Sequence, residues 1–208
     1  MPDHSLSYDV IIIGSGAAGL GLALSLPDHL QVAILSKLNM SEGSTYYAQG
    51  GISAVLDSAD SLESHRLDTM RAGAGLCHDD VVELVVSNGK SSIDWLMKNN
   101  VAFSTHKSTQ SNSQLHLTKE GGHSYRRVVH ADDSTGKAVQ LALNEQVLNK
   151  PNIKIFEHHN VIDLVTETDT LSGNKRVIGC SVMDAKKEIV ISMKGHCITH
   201  RTGGARKW

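Results

Sequence analysis

The sequence is poor in cysteine and proline, and it has no long apolar run. Only three of its 208 residues are cysteine, an odd number at wide spacing, which argues against a disulfide framework or a zinc site. This usage fits a reducing cytoplasm. No apolar run approaches the about 20 residues of a membrane span. The first ten residues lack the basic and apolar regions of a secretory signal, so we expect no membrane association.

The sequence also lacks a large excess of either positive or negative charge. The net charge is −2 and 20% of the residues are charged, without the basic block that would predict nucleic acid as a partner. The twelve histidines show no helical i, i+4 ligand pair beside further ligands, so the sequence predicts no metal site. The length suits one domain, or one domain and part of another.

Residues 8–37 show the pattern of a strand–helix–strand unit. The apolar run at 9–13 is typical of a strand buried on both faces of a parallel sheet. A helical pattern follows over 17–26 and ends before Pro27. A second strand is predicted at 31–35, which completes a βαβ unit.

The remaining pattern predicts an α/β fold. Helical apolar spacing covers 62–70, 81–97 and 137–148, and short β-type runs cover 153–156, 161–165, 177–183 and 189–193. The last two predict a small antiparallel meander over 177–193, and 197–199 predicts one further strand. The polar tract 104–113 predicts an exposed loop.

A glycine motif lies between the first strand and the first helix. It fits G-x-G-x-x-G and consists of Gly14, Ser15, Gly16, Ala17, Ala18 and Gly19. Glycines here permit a tight turn, approach of a pyrophosphate and close helix packing, and the helix N-terminus attracts phosphate. The alternative is a glycine-rich turn without ligand. Lys37 ends the second strand where a ribose-binding acid is usual, which by itself leaves NADP open.

Two segments resemble one flavoprotein family. Residues 41–55 (SEGSTYYAQGGISAV) resemble the second flavin-contacting segment of the succinate dehydrogenase, fumarate reductase and L-aspartate oxidase flavoproteins. Residues 115–139 resemble the L-aspartate oxidase pattern, in which E-G-G-H-S is followed by arginine, H-A and T-G. The resemblance covers residues 8 to about 196 and implies a Rossmann-like FAD-binding domain.

The resemblance implies FAD contacts beyond the glycine motif. The family commonly carries Ser-Lys at the strand end, so Lys37 fits FAD and disfavours NADP. The other implied contacts are Ser44, Thr45, Tyr46, Tyr47, Ala48, Gln49, Gly50, Gly51, Asn160 and Val161. Ser44 occupies the place of the histidine that respiratory members bond to the flavin, so we expect noncovalent FAD.

Glu120 is the implied substrate residue. L-Aspartate differs from succinate by one ammonium group, which a carboxylate attracts, and the family places this glutamate at the substrate. The resemblance therefore implies oxidation of L-aspartate to iminoaspartate with oxygen or fumarate as acceptor. This is the first step of de novo NAD biosynthesis, and quinolinate synthase is the implied partner. The alternatives are a succinate or fumarate oxidoreductase flavoprotein and a noncatalytic FAD-binding remnant.

Family members continue through a capping domain and a C-terminal helical region. We therefore expect residues 1–208 to be the N-terminal part of an FAD-binding domain, truncated before the capping domain and inactive alone. His200 and Arg201 stand where the family has an apolar strand, and a guanidinium buried there is unfavourable unless paired. The roles of His123, Arg126 and Arg127 stay open, and residues 133–136 predict a helix cap.

Overall fold

The computed structural model of the chain describes residues 6–106, 114–132, 134–168 and 173–202. The strands in chain order are β1 (Leu6–Ile13), β2 (Val32–Leu35), β3 (Ile52–Ser53), β4 (Leu117–Thr118), β5 (Val128–Val129), β6 (Ile153–Phe156), β7 (His159–Thr168), β8 (Lys175–Asp184) and β9 (Ile189–His200). The helices are α1 (Ala17–Ser25), α2 (Ser44–Tyr47), α3 (Leu62–Ala72), α4 (Asp79–Ser87), α5 (Gly89–Lys98) and α6 (Thr135–Leu148). Residues 107–113 of the predicted polar loop lie outside the described residues.

The chain divides into two compact units. The first comprises Met1–Tyr46 with Leu143–Trp208, and the second comprises Tyr47–Ala142. Within the described ranges no helix is long and apolar enough to cross a membrane.

The first unit is built on a six-stranded sheet in the order β6-β2-β1-β9-β8-β7. Strands β6, β2, β1 and β9 run parallel. Ile11 and Ile12 are fully buried on opposite faces of β1, as expected of a strand covered on both sides. The predicted βαβ unit and the α/β fold class are confirmed.

The meander is longer than the sequence pattern predicted. Strand β9 pairs antiparallel with β8 from Ile189 to Lys194 and parallel with β1 from Met193 to His200, so one strand joins the meander to the parallel core. The separate strand predicted at 197–199 was wrong, because those residues continue β9 along β1. Strand β7 adds a third antiparallel member.

The end of β9 also differs from expectation. His200 and Arg201 are exposed, so the guanidinium of Arg201 is not buried in the sheet and meets no such penalty. The backbone N–H of Arg201 donates to the Ile13 carbonyl at 2.7 Å and continues the pairing with β1.

The second unit combines α3, α4 and α5 with a three-stranded antiparallel sheet in the order β3-β5-β4. The single helix predicted over 81–97 was wrong, because two helices meet at Asn88, which caps the end of α4 and the start of α5. Asparagine and glycine are weak helix formers, and Gly89 passes close to β3: a Cβ there would lie 3.3 Å from the Ala54 Cβ.

The described cysteines are all unpaired. Cys77 is half-buried, Cys180 is buried and Cys197 is exposed. Burial raises the pKa of the Cys180 thiol to about 11, which keeps this thiol protonated and unreactive at neutral pH.

Replacing Gly19 by alanine will destabilise the first unit. A Cβ at this position would lie 2.0 Å from the Gly14 carbonyl oxygen, so α1 has to move away from the turn. We expect the free energy of unfolding to fall by about 1–3 kcal/mol, measured by urea denaturation.

Gly43→Ala is the matched control, because a Cβ at Gly43 meets nothing within 4 Å. Its stability should stay level or rise slightly. An equal decrease in the free energy of unfolding of Gly19→Ala and Gly43→Ala would contradict the close packing of α1 on the turn.

Candidate nucleotide site and polar cleft

The turn after β1 requires glycine at its first position. Gly14 has φ = +116°, a conformation that side chains disfavour. A Cβ there would also lie 2.6 Å from the Arg201 carbonyl oxygen. The Gly14 N–H donates to the Leu35 carbonyl at 2.9 Å, so the turn is fixed between the carboxyl ends of β1, β2 and β9.

Helix α1 begins directly after this turn. Gly16 is its N-cap residue in an extended conformation and has no side chain to satisfy the first N–H groups. Thr45 accepts one of them: its Oγ1 lies 3.1 Å from the Ala17 nitrogen. The first turn of a helix presents N–H groups and positive potential to an anion, so this end of α1 suits a phosphate.

The end of β2 is tied to the same turn. The buried hydroxyls of Ser15 and Ser36 are 2.8 Å apart. Backbone hydrogen bonds also join Ser36 to β6 and β7. The Ser36 N–H donates to the Phe156 carbonyl, and the Ser36 carbonyl accepts from the His159 N–H, both at 2.8 Å. The exposed Lys37 follows. The structure therefore brings residues 14–19 together with the strand end that carries Lys37.

Asn160 and Val161 both lie within β7. Asn160 pairs with Met183 and Val161 with Val182. Val161 packs on the apolar cluster of the sheet, whereas Asn160 is half-buried. Of the two, only Asn160 has a polar side chain for a ligand.

The second predicted segment runs through α2 and the residues after it. Ser44 is exposed, and Tyr47, Ala48, Gln49 and Gly50 are exposed as well, whereas Tyr46 is half-buried. Gly51 lies against β5: a Cβ there would be 2.4 Å from the Val129 carbonyl oxygen. Glycine at 51 therefore lets this backbone approach β5.

A polar cleft of ≈ 690 Å³ opens in the second unit. Its lining residues are Gln49, Gly51, Thr118, Glu120, His130 and Asp132. Two of these come from the predicted flavin segment and one, Glu120, is the predicted substrate residue, so the cleft brings together residues far apart in sequence. Glu120 is exposed and lies two residues after the end of β4.

The turn that carries Glu120 is held at several points. The His123 N–H donates to the Glu120 carbonyl at 3.3 Å, and His123 Nε2 lies 3.2 Å from Ser53 Oγ on β3. Ser124 donates its N–H and its hydroxyl to the Asp68 carboxylate, both at 2.7 Å. His123 thus links the turn to β3, a role that the sequence left open.

Arg127 is fully buried and forms a hydrogen-bonded ion network. Its guanidinium donates to both carboxylate oxygens of Asp60 at 2.8 Å and to Asp68 at 2.9 Å. Burial opposes ionisation of Asp68, but the Ser124 hydrogen bonds and the charge of Arg127 outweigh it and hold the pKa of Asp68 below its ordinary value. Arg127 is therefore structural, whereas Arg126 is exposed and donates to the Leu117 carbonyl at 3.5 Å.

His65 lies against this network and is neutral at physiological pH. Burial, followed by the charges of Arg127 and His123, lowers the pKa of His65. The carboxylates of Asp60 and Asp68 act in the opposite direction and do not outweigh these causes. The His65 ring centroid is 5.9 Å from that of His123, so an imidazolium there would face two other cationic or donor groups.

A pair of histidines beside the cleft was not predicted from the sequence. His116 Nδ1 and His130 Nε2 are 2.7 Å apart, and His130 lines the cleft. Burial and the neighbouring His106, His130 and Arg126 lower the pKa of His116. The two histidines are fourteen residues apart, and only the pairing of β4 with β5 brings them together. Across the described ranges, no group of three or more candidate ligands could hold a metal ion.

Helix α6 begins beside the predicted flavin segment. The Gly136 N–H donates to the Ala48 carbonyl at 3.0 Å, and Thr135 Oγ1 accepts from the Ala131 N–H at 3.1 Å. The predicted cap at 133–136 is described in part, because residue 133 lies outside the described residues.

The fold and this site define a dinucleotide-binding domain: a parallel sheet whose first strand enters a glycine turn and a helix N-terminus open to phosphate. The family model of the FAD binding domain matches residues 9–208. The chain belongs to this family, and FAD is its cofactor.

Comparison with known proteins confirms the resemblance seen in residues 41–55 and 115–139. The L-aspartate oxidase of Yersinia pestis is 48% identical over 96% of this chain and 38% of that protein, and that of Vibrio cholerae is 44% identical over 99% and 38%. The Escherichia coli quinol fumarate reductase FrdA matches with a TM-score of 0.85 at 27% identity, over 97% of this chain and 33% of that one. The chain spans about 38% of the length of the curated relatives it matches.

Replacing Asp68 by asparagine will destabilise the second unit. The change leaves the buried Arg127 with one carboxylate partner fewer, and removing one member of a buried ion pair costs about 3–5 kcal/mol. The loss will depend on pH. Because the folded pKa of Asp68 is depressed, its contribution is complete above the unfolded pKa of about 3.9 and disappears as pH falls through the folded value.

Urea denaturation at pH 7 and at pH 3 measures the free energy of unfolding of Asp68→Asn and of the parent chain. The difference between the two should be large at pH 7 and smaller at pH 3. Asp94→Asn is the matched control, because Asp94 pairs with Lys90 on the exposed surface of α5 and exposed pairs contribute little. A difference between Asp68→Asn and the parent that stays constant with pH would contradict the assignment.

Proposed function

We propose that this chain binds FAD noncovalently and takes part in the oxidation of L-aspartate to iminoaspartate. The observation that carries the proposal is the shared cleft: Glu120 lines it together with Gln49 and Gly51 of the predicted flavin segment. FAD, when bound, supplies the acceptor for the two electrons that leave the substrate. The chain itself supplies binding, orientation and charge.

The nucleotide half of the cofactor fits the first unit. Gly14, Gly16 and Gly19 allow a close turn and an open helix N-terminus, which suits a pyrophosphate. Lys37 and Asn160 are the further polar residues proposed to contact FAD in this unit. At Ser44 there is a hydroxyl in place of the histidine nitrogen that would bond covalently to flavin, which supports noncovalent binding.

Glu120 gives the proposed substrate preference. Its exposed carboxylate attracts the ammonium group of L-aspartate and repels a ligand that offers carboxylates alone. The identity with L-aspartate oxidases of Yersinia pestis and Vibrio cholerae supports the same substrate. We propose oxygen or fumarate as the electron acceptor.

The proposed setting follows from this activity. Iminoaspartate formation is the first step of de novo NAD biosynthesis, and quinolinate synthase is the proposed partner that uses the product. A reducing cytoplasm is the proposed location, and the unpaired thiols of Cys77, Cys180 and Cys197 are consistent with it.

The purified chain will bind FAD and release it on acid precipitation. FAD binding is measured by quenching of flavin fluorescence, and NADP in excess should not displace it. Gly16→Ala should weaken FAD affinity by about tenfold or more, equal to 1.4 kcal/mol or more, because a methyl group enters the approach to the helix N-terminus. Flavin that pellets with the protein would contradict noncovalent binding.

Glu120→Gln will remove the preference for L-aspartate over succinate. Loss of a charged hydrogen-bond partner costs about 1.5–3 kcal/mol, so L-aspartate affinity should fall about tenfold or more while succinate affinity holds or improves. Both are measured by the change in flavin absorbance of the FAD-loaded chain. Glu83→Gln, on the exposed surface of α4, is the control. A Glu120→Gln variant that discriminates as the parent does would refute the role of Glu120.

A further inference from the structure

The loop between β4 and β5 carries Glu120 on a stretch with little packing. Glu120 is exposed, and Gly121 and Gly122 follow it. A Cβ at either glycine would meet nothing within 4 Å, and Gly122 has φ = +87°, a conformation that favours glycine. Packing therefore does not fix residues 120–122, and the place of Glu120 depends on the contacts made on either side of them.

One of these contacts joins the loop to the predicted flavin segment. The His123 N–H donates to the Glu120 carbonyl at 3.3 Å, and the His123 Nε2 atom lies 3.2 Å from the Ser53 Oγ atom. Ser53 belongs to β3 and comes two residues after Gly51, which lines the cleft together with Glu120. The hydrogen bond between Ser53 and His123 therefore connects two segments that form the cleft.

The neighbouring contacts hold the loop to other elements. Ser124 donates its N–H and its hydroxyl to Asp68 on α3, and the Arg127 N–H donates to the Thr118 carbonyl on β4 at 3.2 Å. These bonds secure the end of the loop against α3 and β4. The contact of His123 with Ser53 differs from them, because it is made to the strand that follows Gly51.

We infer that Ser53 and His123 are positioning residues that set where the Glu120 carboxylate lies in the cleft. The inference rests on the proposed function. A charge-assisted hydrogen bond from an ammonium group to a carboxylate requires a short distance of about 2.7–2.9 Å, so a loop displaced from the flavin segment weakens it. Ser53 and His123 act through Glu120 and thereby strengthen the preference for a ligand that carries an ammonium group.

Ser53→Ala tests this inference by removing the hydroxyl that contacts His123. The dissociation constants of L-aspartate and succinate are measured from the flavin absorbance of the FAD-loaded 208-residue chain. We expect the affinity for L-aspartate to fall about threefold to tenfold, which corresponds to one neutral hydrogen bond. The affinity for succinate should stay level, because succinate has no ammonium group for Glu120 to bind.

Further variants show whether the hydrogen bond itself is responsible. Ser53→Thr keeps a hydroxyl and should keep the preference of the parent chain. His123→Ala breaks the same contact from the other side, so it should give the same loss, and it serves as the test if Ser53→Ala fails to bind FAD. Ser87→Ala is the matched control, because the Ser87 hydroxyl donates to the Glu83 carbonyl of its own helix at 2.7 Å and the variant should bind both ligands as the parent does.

Combination with Glu120→Gln shows whether Ser53 acts through Glu120. In the Glu120→Gln chain, adding Ser53→Ala should cause no further loss of L-aspartate affinity, because the carboxylate to be positioned is gone. Two residues that act independently would instead give additive losses.

The other outcomes contradict separate claims. Additive losses, an equal loss of succinate affinity, or a Ser53→Ala chain with the preference of the parent would each refute the positioning role and leave the proposed substrate standing. The same holds if Ser53→Thr loses as much L-aspartate affinity as Ser53→Ala. If Glu120→Gln keeps the preference of the parent, the proposed role of Glu120 fails and this inference fails with it.

Discussion

The buried guanidinium of Arg127 is the interaction on which the candidate site depends. It forms ion pairs with Asp60 and Asp68 inside the second unit, and Asp68 in turn accepts both hydrogen bonds of Ser124. A buried charge is tolerated only when it is paired and hydrogen-bonded. The network therefore fixes α3, the segment around Asp60 and the turn that carries Glu120 as one arrangement.

The cleft in the same unit is lined by residues at or near the ends of short strands. Strands β3, β4 and β5 are two residues each, too short to be stable as an isolated sheet. Contacts outside the strands support them: His123 to Ser53, Gly51 against Val129, and Ser104 to both His116 and His130. The residues that line the cleft are the ends of these supported segments, so their positions follow from backbone contacts.

The first unit depends on a different constraint, the close approach of backbone segments. Gly14 and Gly19 have almost no space for a side chain, and the Ser15–Ser36 hydrogen bond closes the turn on β2. In this unit the important local features were visible in the sequence, because a βαβ motif is formed by residues close in the chain. The helix predicted at 17–26 ends one residue earlier, at Ser25.

Several predictions failed at places where contacts between residues far apart in sequence determine the local structure. The helix predicted at 81–97 divides at Asn88, where Gly89 passes close to Ala54, a contact that periodicity does not contain. The strand predicted at 197–199 belongs to β9 because its partner β1 lies at the other end of the chain. Val161 stays a predicted cofactor contact, and its side chain packs on the apolar cluster, because alternation along β7 turns neighbouring side chains to opposite faces.

By itself the sequence determined the α/β class, the βαβ unit at residues 8–37 and, through residues 41–55 and 115–139, the flavoprotein family. These features depend on local periodicity and on short motifs whose residues act together within one turn or loop. The tertiary structure alone decided that Arg127 is structural, that His123 ties the Glu120 turn to β3, and that His116 meets His130. Burial and hydrogen-bond partners arise only when distant segments pack, and a side chain's charge state and role depend on both.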